Sequence, residues 1–394
     1  MQIIFHVDVN NAFLSWTAVY LLQNGYEEDI RTIPSVIGGD EASRHGIVLA
    51  KSPVAKQKGV KSAETIMEAK RKCPNLKVFP PNYEFYVEMS TKFYNYLKAF
   101  TPKIEKASID ECFLDLTNTN YLYDDIMALA YKIKSEIKEK FGFTVNVGIG
   151  NNKLCAKMAS DFQKPDKVHT LFDNEIKDKM WPLPVSDLLF VGKSSFSTLE
   201  KLGIKTIGDL AHTDEKKLLK YFKSRSSELI RMANGYDNSE VVSDSSVNKC
   251  ISISRTLPHD TNDEKYLKNV LLNMANSIGL RARKKNLCAG NIAITFKTSS
   301  FKSFSHQEKL LNLTNNTMEI YHKILKLYEE TPKEEKFRSI GIRLGDLKVK
   351  NDEQISLFDS MTKKDDTLQT LMDNINSKYQ DSVVMPAVFF QDNK

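Results

Sequence analysis

The run Ser108-Ile109-Asp110-Glu111-Cys112-Phe113-Leu114-Asp115 constrains this chain more than any other eight residues. Neighbouring residues on a strand point to opposite faces, so two adjacent acids serve one site only where the backbone bends. The approach Lys103-Ile104-Glu105-Lys106-Ala107 and the exit Cys112-Phe113-Leu114-Asp115-Leu116 both read as short strands, which puts Asp110 and Glu111 at a hairpin. A third acid, Asp8, ends another apolar strand, Ile3-Ile4-Phe5-His6-Val7. Three carboxylates at strand ends suit a pair of Mg²⁺ ions, which take hard oxygen ligands in octahedral geometry. Such a pair, about 3.5–4 Å apart, clamps the attacking and leaving oxygens of a phosphoryl transfer.

At 394 residues the chain has room for two to four domains with real cores. Its five cysteines (Cys73, Cys112, Cys155, Cys250 and Cys288) are scattered, odd in number and form no CxxC pair. That argues against a disulfide framework and a zinc site, and fits a reducing cytoplasm. No basic n-region with a long apolar segment opens the chain, so no signal peptide is expected. Charge is uneven. Residues 249–350 hold 19 Lys/Arg against 10 Asp/Glu, a net of +9, while the remainder nets −3 within a total of +6. A basic module beside a near-neutral body points to attachment to a polyanion.

From Met1 to Val168 strands and helices alternate. Helices are predicted over Ala12–Gln23, Thr65–Lys72, Tyr83–Phe100, Asp124–Phe141 and Asn152–Asp161, with a strand over Thr144–Gly150. Strand, helix, acidic hairpin, helix, strand is a ferredoxin-like order with helices on one face. Pro182 and Pro184 open a small helical region ending near Gly235, and Asn238–Lys249 reads as a Ser/Asp-rich linker. Beyond it, strands at Cys250–Thr256, Cys288–Thr298, Ser300–His306 and Ser339–Leu347, with helices at Glu264–Lys285 and Asn315–Tyr328, form a second α+β module. The tail after Asp352 reads as peripheral. The expected fold class is therefore α+β and multidomain.

With Asp8, the acidic hairpin and the basic module together, the chain resembles the Y family of DNA polymerases, the group of UmuC, DinB and DNA polymerase IV. The segments that carry it are Asp8-Val9-Asn10-Asn11-Ala12-Phe13, Ser108 to Asp115, and Gly148-Ile149-Gly150-Asn151-Asn152-Lys153-Leu154-Cys155-Ala156-Lys157. The UmuC-like and DinB-like branches stay open. The resemblance implies a right-hand architecture: a ferredoxin-like palm at 1–12 and 81–170, small fingers at 13–80, a helix-hairpin-helix thumb at 171–237, a linker at 238–248, a little finger at 249–350 and a tail at 351–394. It implies that Asp8, Asp110 and Glu111, with the Val9 carbonyl, bind two catalytic Mg²⁺ ions. It also implies a steric gate at Phe13 and a triphosphate contact at Lys164.

Where the family places a Tyr and an Arg on the triphosphate, this chain has Ser52-Pro53-Val54-Ala55-Lys56. Pro53 offers no hydroxyl or amide hydrogen, and Lys56 is a point charge rather than a fork, so Ser52 and Lys56 are expected to give a weaker grip. Gly192 and Lys193 fall at a helix-hairpin-helix turn that would hold a DNA phosphate, although the usual first hairpin glycine is Phe190 here. Arg281, Arg283, Lys284 and Lys285 cluster at a helix end as further DNA contacts. Gln354-Ile355-Ser356-Leu357-Phe358 resembles the peptide that docks in a sliding clamp, with Gln354, Leu357 and Phe358 as anchors.

The expected activity is template-directed, low-fidelity translesion synthesis from deoxynucleoside triphosphates on primer–template DNA, by a cytoplasmic monomer without proofreading. Two rivals remain. Gly38-Gly39-Asp40-Glu41-Ala42 approaches the GGDEF signature of diguanylate cyclases, but those enzymes carry it on the acidic hairpin itself. A damaged-DNA-binding accessory protein with a disabled palm would have lost one of the three acids, and all are present.

Overall fold

The computed structural model describes residues 2–39, 46–243, 249–349, 362–379 and 384. The chain divides into two compact units, Met1–Asp244 and Ser245–Lys394.

In the first unit the elements run β1 (Ile4–Val9), α1 (Ala12–Gln23), β2 (Ser35–Gly38), β3 (Val48–Lys51), α2 (Pro53–Gln57), α3 (Ile66–Lys72), β4 (Lys77–Phe79) and α4 (Tyr83–Leu97). They continue with β5 (Ile104–Lys106), β6 (Glu111–Asp115), α5 (Ile126–Phe141), β7 (Val145–Gly150), α6 (Lys153–Asp161) and β8 (Val168–Leu171). Four helices follow: α7 (Lys193–Lys201), α8 (Ile207–Ala211), α9 (Glu215–Phe222) and α10 (Arg225–Ala233). The main sheet has the order β5-β6-β1-β7-β8, and a separate sheet has the order β3-β2-β4. Strands β5, β6, β1 and β7 keep the ferredoxin-like order, with β8 added parallel to β7 at the edge.

Strand β1 is buried throughout, as a central strand should be. Its residues Phe5, Val7 and Val9 pack with Trp16, Tyr86, Phe93, Leu114, Ile133 and Val147 from α1, α4, β6, α5 and β7. The helix starts follow their caps. Asp125 accepts from the amides of Met127 and Ala128 to open α5, and Thr65 with Glu68 forms a capping box on α3. Helix α5 stops at Gly142, whose φ of 74° suits glycine.

The expectation of helices on one face needs correcting. The face opposite that core carries α6, where Ala156 packs against Ile4 and Phe113. The approach is close because the strand beneath has no side chain there. A Cβ on Gly148 would lie 2.0 Å from the Ala156 carbonyl oxygen and 2.3 Å from the Ser160 nitrogen.

In the second unit β9 (Cys250–Thr261), α11 (Glu264–Lys284), β10 (Leu287–Thr298), β11 (Ser303–Thr314), α12 (Thr317–Glu329) and β12 (Phe337–Val349) form an antiparallel sheet of order β11-β10-β12-β9 backed by two helices. Strands β9 and β11 run longer than their apolar patterns predict, reaching Thr261 and Thr314 through stretches in which few residues are buried. The tail is not wholly peripheral. Helix α13 (Thr362–Tyr379) buries Met372 and Gln369, and its Asp373 takes the Arg283 guanidinium at 2.5 Å.

Candidate active site

The antiparallel register of β1 and β6 pairs Asp8 with Glu111 and His6 with Phe113, so these four side chains share one sheet face. On the other side of β1, Asp8 faces Asn146 and His6 faces Gly148. Helix α6 lies over this face and sends Lys157 into the acids. Its Nζ lies 3.5 Å from Asp8 Oδ2 and donates to Glu111 Oε1. Lys164 reaches the same carboxylate from beyond the helix end, its Nζ 2.9 Å from Asp8 Oδ2 and 2.8 Å from Asp161 Oδ1.

Buried Asn146 fixes that geometry. Its Nδ2 donates to the carbonyls of Ser160 and Gln163 at 2.9 and 2.6 Å, and its Oδ1 accepts from the Lys167 amide. The end of α6 and the segment carrying Lys164 are thus tied to β7.

The two acids differ electrostatically. Asp8 is only 6% exposed, and burial raises its pKa although Lys164 and Lys157 pull it down. His6 and Lys157 beside Glu111 hold that carboxyl well below the usual range. Burial tends to lower the Lys164 pKa, but Asp8 and Asp161 outweigh it and raise it. His6 is buried, and burial lowers its pKa. Its Nδ1 meets Ser160 Oγ at 2.8 Å, while Nε2 stands 3.9 Å from Glu111 Oε2 with no hydrogen-bond partner. Among the described residues, His6, Asp8 and Glu111 are the set of metal-ligating side chains that converges, each offering an atom within 4.8 Å of the others.

Asp110 stands beside this set rather than in it. Its carbonyl accepts from the Val9 amide at 3.0 Å, which locks the hairpin to β1. Its carboxylate accepts from Ser108 Oγ at 2.6 Å. The β5–β6 hairpin expected from the sequence is present, and Asp110 sits in its turn.

The remaining sequence candidates are placed as follows. Phe13 is half-buried on α1, stacked on Tyr86 at 4.8 Å, and Tyr86 in turn bonds Thr17 Oγ1 at 2.6 Å. Ser52 is fully buried and caps α2 by accepting from the Ala55 amide. Pro53 is tolerated because it opens that helix, while Lys56 is exposed on its last turn. Gly192 and Lys193 are exposed at the start of α7.

The basic cluster on α11 splits. Arg281, Lys284 and Lys285 are exposed, whereas Arg283 is engaged by Asp373, the Asn315 carbonyl and Thr317. Gln354, Leu357 and Phe358 lie outside the described residues, as do Asp40, Glu41 and Ala42.

Sequence reasoning missed His6, Asn146 and Ser160. The available signal for His6 was its i−2 spacing from Asp8 on one strand, which fixes a common face. The outward face of the second unit's sheet was also missed. There, Ser252, Ser254, Gly341, Arg343, Gly345 and Thr295 alternate with buried apolar residues, a small, polar and basic surface.

Residues 7–161 match the model of the impB/mucB/samB family, and residues 248–357 match that family's C-terminal domain. DNA polymerase IV of Clostridium acetobutylicum is 46% identical over 99% of this chain and 98% of its own length. DNA polymerase IV 1 of Bacillus subtilis is 32% identical over 96% and 91%. Among solved structures, a Y-family DNA polymerase chimera of Dbh and Dpo4 superposes with a TM-score of 0.78 at 25% identity, covering 88% of this chain and 99% of that one.

The chain belongs to the Y family of DNA polymerases. Its DNA polymerase IV relatives place it on the DinB-like branch and make it a DNA-directed DNA polymerase. They give no support to the cyclase or to the non-catalytic accessory protein. The five-stranded sheet is the palm and the C-terminal sheet module is the little finger. The Y-family fold carries a general dependence on divalent metal, and the converging acids fit it. No described helix is long and apolar enough to cross a membrane.

The delivery of Lys157 depends on Gly148, so Gly148→Ala should lower stability by roughly 3 kcal/mol or more, since backbone atoms rather than a flexible side chain block the new methyl. Thermal denaturation with parallel primer extension checks this. A variant with unchanged melting temperature and activity would contradict the close helix–sheet approach.

Proposed function

We propose that this polymerase extends a primer 3′ end by two-metal-ion catalysis and does so across damaged template, with low fidelity and no proofreading. One observation supports it above the others: two carboxylates face each other across β1 and β6 with two lysine ammonium groups drawn onto their oxygens. A site that gathers cations so strongly suits divalent ions. The donors are mostly hard oxygen, which favours Mg²⁺. Asp8, Asp110, Glu111 and the Val9 carbonyl would hold two such ions. Bound there, the ions would supply a lowered pKa for the primer hydroxyl and neutralising charge for the leaving pyrophosphate.

The chain's own residues do the rest. Phe13, braced by Tyr86, closes the space under the incoming sugar, so a 2′-hydroxyl has no room. Lys164 shifts its charge from Asp8 to the triphosphate, and Lys56 adds a weaker contact from α2. Ser52 contributes by capping the helix that carries Lys56. Lys157 sets a positive charge between Asp8 and Glu111 that offsets their mutual repulsion until the ions arrive.

The domain assignment follows the same reading: palm at 1–12 and 81–170, fingers at 13–80, thumb at 171–237, linker at 238–248 and little finger at 249–350. The described part of the linker lies along the palm, where the Val242 amide donates to Glu105 at 2.9 Å and Ser243 Oγ to the Pro102 carbonyl at 3.1 Å. Gly192 and Lys193 offer amides and charge to a DNA phosphate. The little finger holds duplex through its basic surface, with Arg281, Lys284 and Lys285 contributing and Arg283 retained for α13, so affinity falls steeply with salt. Residues 354–358 attach the enzyme to a sliding clamp, which offsets weak intrinsic grip by raising effective concentration. The protein works as a cytoplasmic monomer.

Asp110→Asn should cut primer extension on undamaged and abasic templates by at least about 1,000-fold while DNA affinity changes by less than about twofold. Retained synthesis would remove Asp110 from the metal site. Phe13→Ala should let ribonucleotides compete, raising their relative incorporation at least about tenfold. Unchanged sugar selectivity would leave Phe13 as a packing residue only.

A further inference from the structure

Two residues beyond Glu111 on the same face of β6, Phe113 forms one wall of a cavity of about 630 Å³. The lining also includes Phe190 at the thumb hairpin, Arg231 and Glu228 on α10, and Tyr236 just past that helix. The size falls within the range of sites that enclose an organic ligand, roughly 300–1,000 Å³.

Three groups around the cavity have no task within the fold. Phe190 is 68% exposed and sits at φ 66°, a left-handed conformation that a bulky residue adopts at a cost and glycine without one. Tyr236 is 65% exposed, and neither it nor Phe190 contacts another ring among the described residues. The Arg231 guanidinium has no hydrogen bond or ion pair among the described residues. The other charges are engaged. Lys153 bonds both oxygens of Glu105 at 2.8 Å and lies over the Phe113 ring at 5.0 Å. Asp237 accepts from the Leu154 amide and from Ser239, and Glu228 lies 3.9 Å from Arg225.

Two free aromatic faces and one free guanidinium match a flat heteroaromatic base that carries a phosphate. Bases stack on aromatic side chains without regard to sequence, and guanidinium is suited to phosphate. The position narrows the source. Phe113 stands about 7 Å from Glu111 at the usual strand rise, and Phe190 is the hairpin itself. A primer with its 3′ end at the acids and a phosphate on the hairpin would run from Glu111 past Phe113 to Phe190, and both phenylalanines line the cavity.

We propose that this cavity is a side pocket for one unstacked nucleotide of the primer strand, its base against Phe190 and Tyr236 and its phosphate on Arg231. The inference rests on the polymerase reading above and adds a property to it. Unstacking a base is costly, and the pocket offsets that cost, so the enzyme holds a primer that carries one extra nucleotide near its end. Extension from such a primer yields a one-nucleotide insertion.

Binding of the full chain is measured by fluorescence anisotropy without added nucleotide, for a fully paired primer–template and for one whose primer has one unpaired nucleotide two to four positions from the 3′ end. The expected wild-type affinities agree within about twofold. Phe190→Gly and Arg231→Ala should each weaken the bulged substrate about tenfold more than the paired one. Phe190→Gly suits the backbone at that position, so its melting temperature should not fall. Equal losses on both substrates, or no loss on either, would overturn the pocket.

Equilibrium dialysis with deoxyadenosine monophosphate separates the two sources of such a nucleotide. Binding that depends on Phe190 and Arg231 would assign the cavity to a free nucleotide and overturn the primer assignment, while no such binding supports it. Failure of the wild type to bind either DNA would count instead against the polymerase reading.

Discussion

Two carboxylates facing each other on neighbouring strands set the terms for the rest of the first unit. Asp8 and Glu111 share one sheet face, and Asp8 is nearly removed from water. Two such charges repel each other and lose hydration, so the fold must bring positive charge to them. It brings two lysines from one stretch of chain, Lys157 from α6 and Lys164 from the segment beyond it. The same demand for cations makes the place suitable for phosphoryl transfer. A site relaxed without added charge would have little reason to collect metal.

That demand explains otherwise odd features nearby. Helix α6 can come down on the sheet only because β7 has glycine at 148 and 150, where added methyl groups would strike its backbone. Asn146, fully buried opposite Asp8, has each polar atom in use and ties down the turn that carries Lys164. His6 fills the space between the helix and Glu111, bonded on one side to Ser160. Sheet, glycines, helix and lysines act as one arrangement, and helices α7 to α10 pack against α6 through Leu154, Cys155 and Met158.

Much of this was legible from the residues. Strand β1 carries its acid one residue from its end, the hairpin formed at Asp110 and Glu111, and the helices expected from Thr65 and Asn152 begin there, each capped by that side chain. The family likeness was carried by motifs that the comparisons bear out. Other features depended on partners distant in the chain. That Ser52 is buried and also accepts from the Ser35 amide, that Arg283 belongs to an ion pair with Asp373, and that α6 covers the second sheet face are tertiary outcomes without local periodicity. Asp110 is the sharpest case. Sequence places it next to Glu111, but a side chain at a turn takes its direction from its nearest donor, here Ser108.

The most direct test of the account counts Mn²⁺ bound to the protein, by electron paramagnetic resonance, with primer–template and a non-hydrolysable deoxynucleoside triphosphate in place. The wild type should hold two ions per chain, and Asp8→Asn no more than the one the triphosphate carries. An Asp8→Asn protein that still binds both ions at wild-type affinity would contradict it.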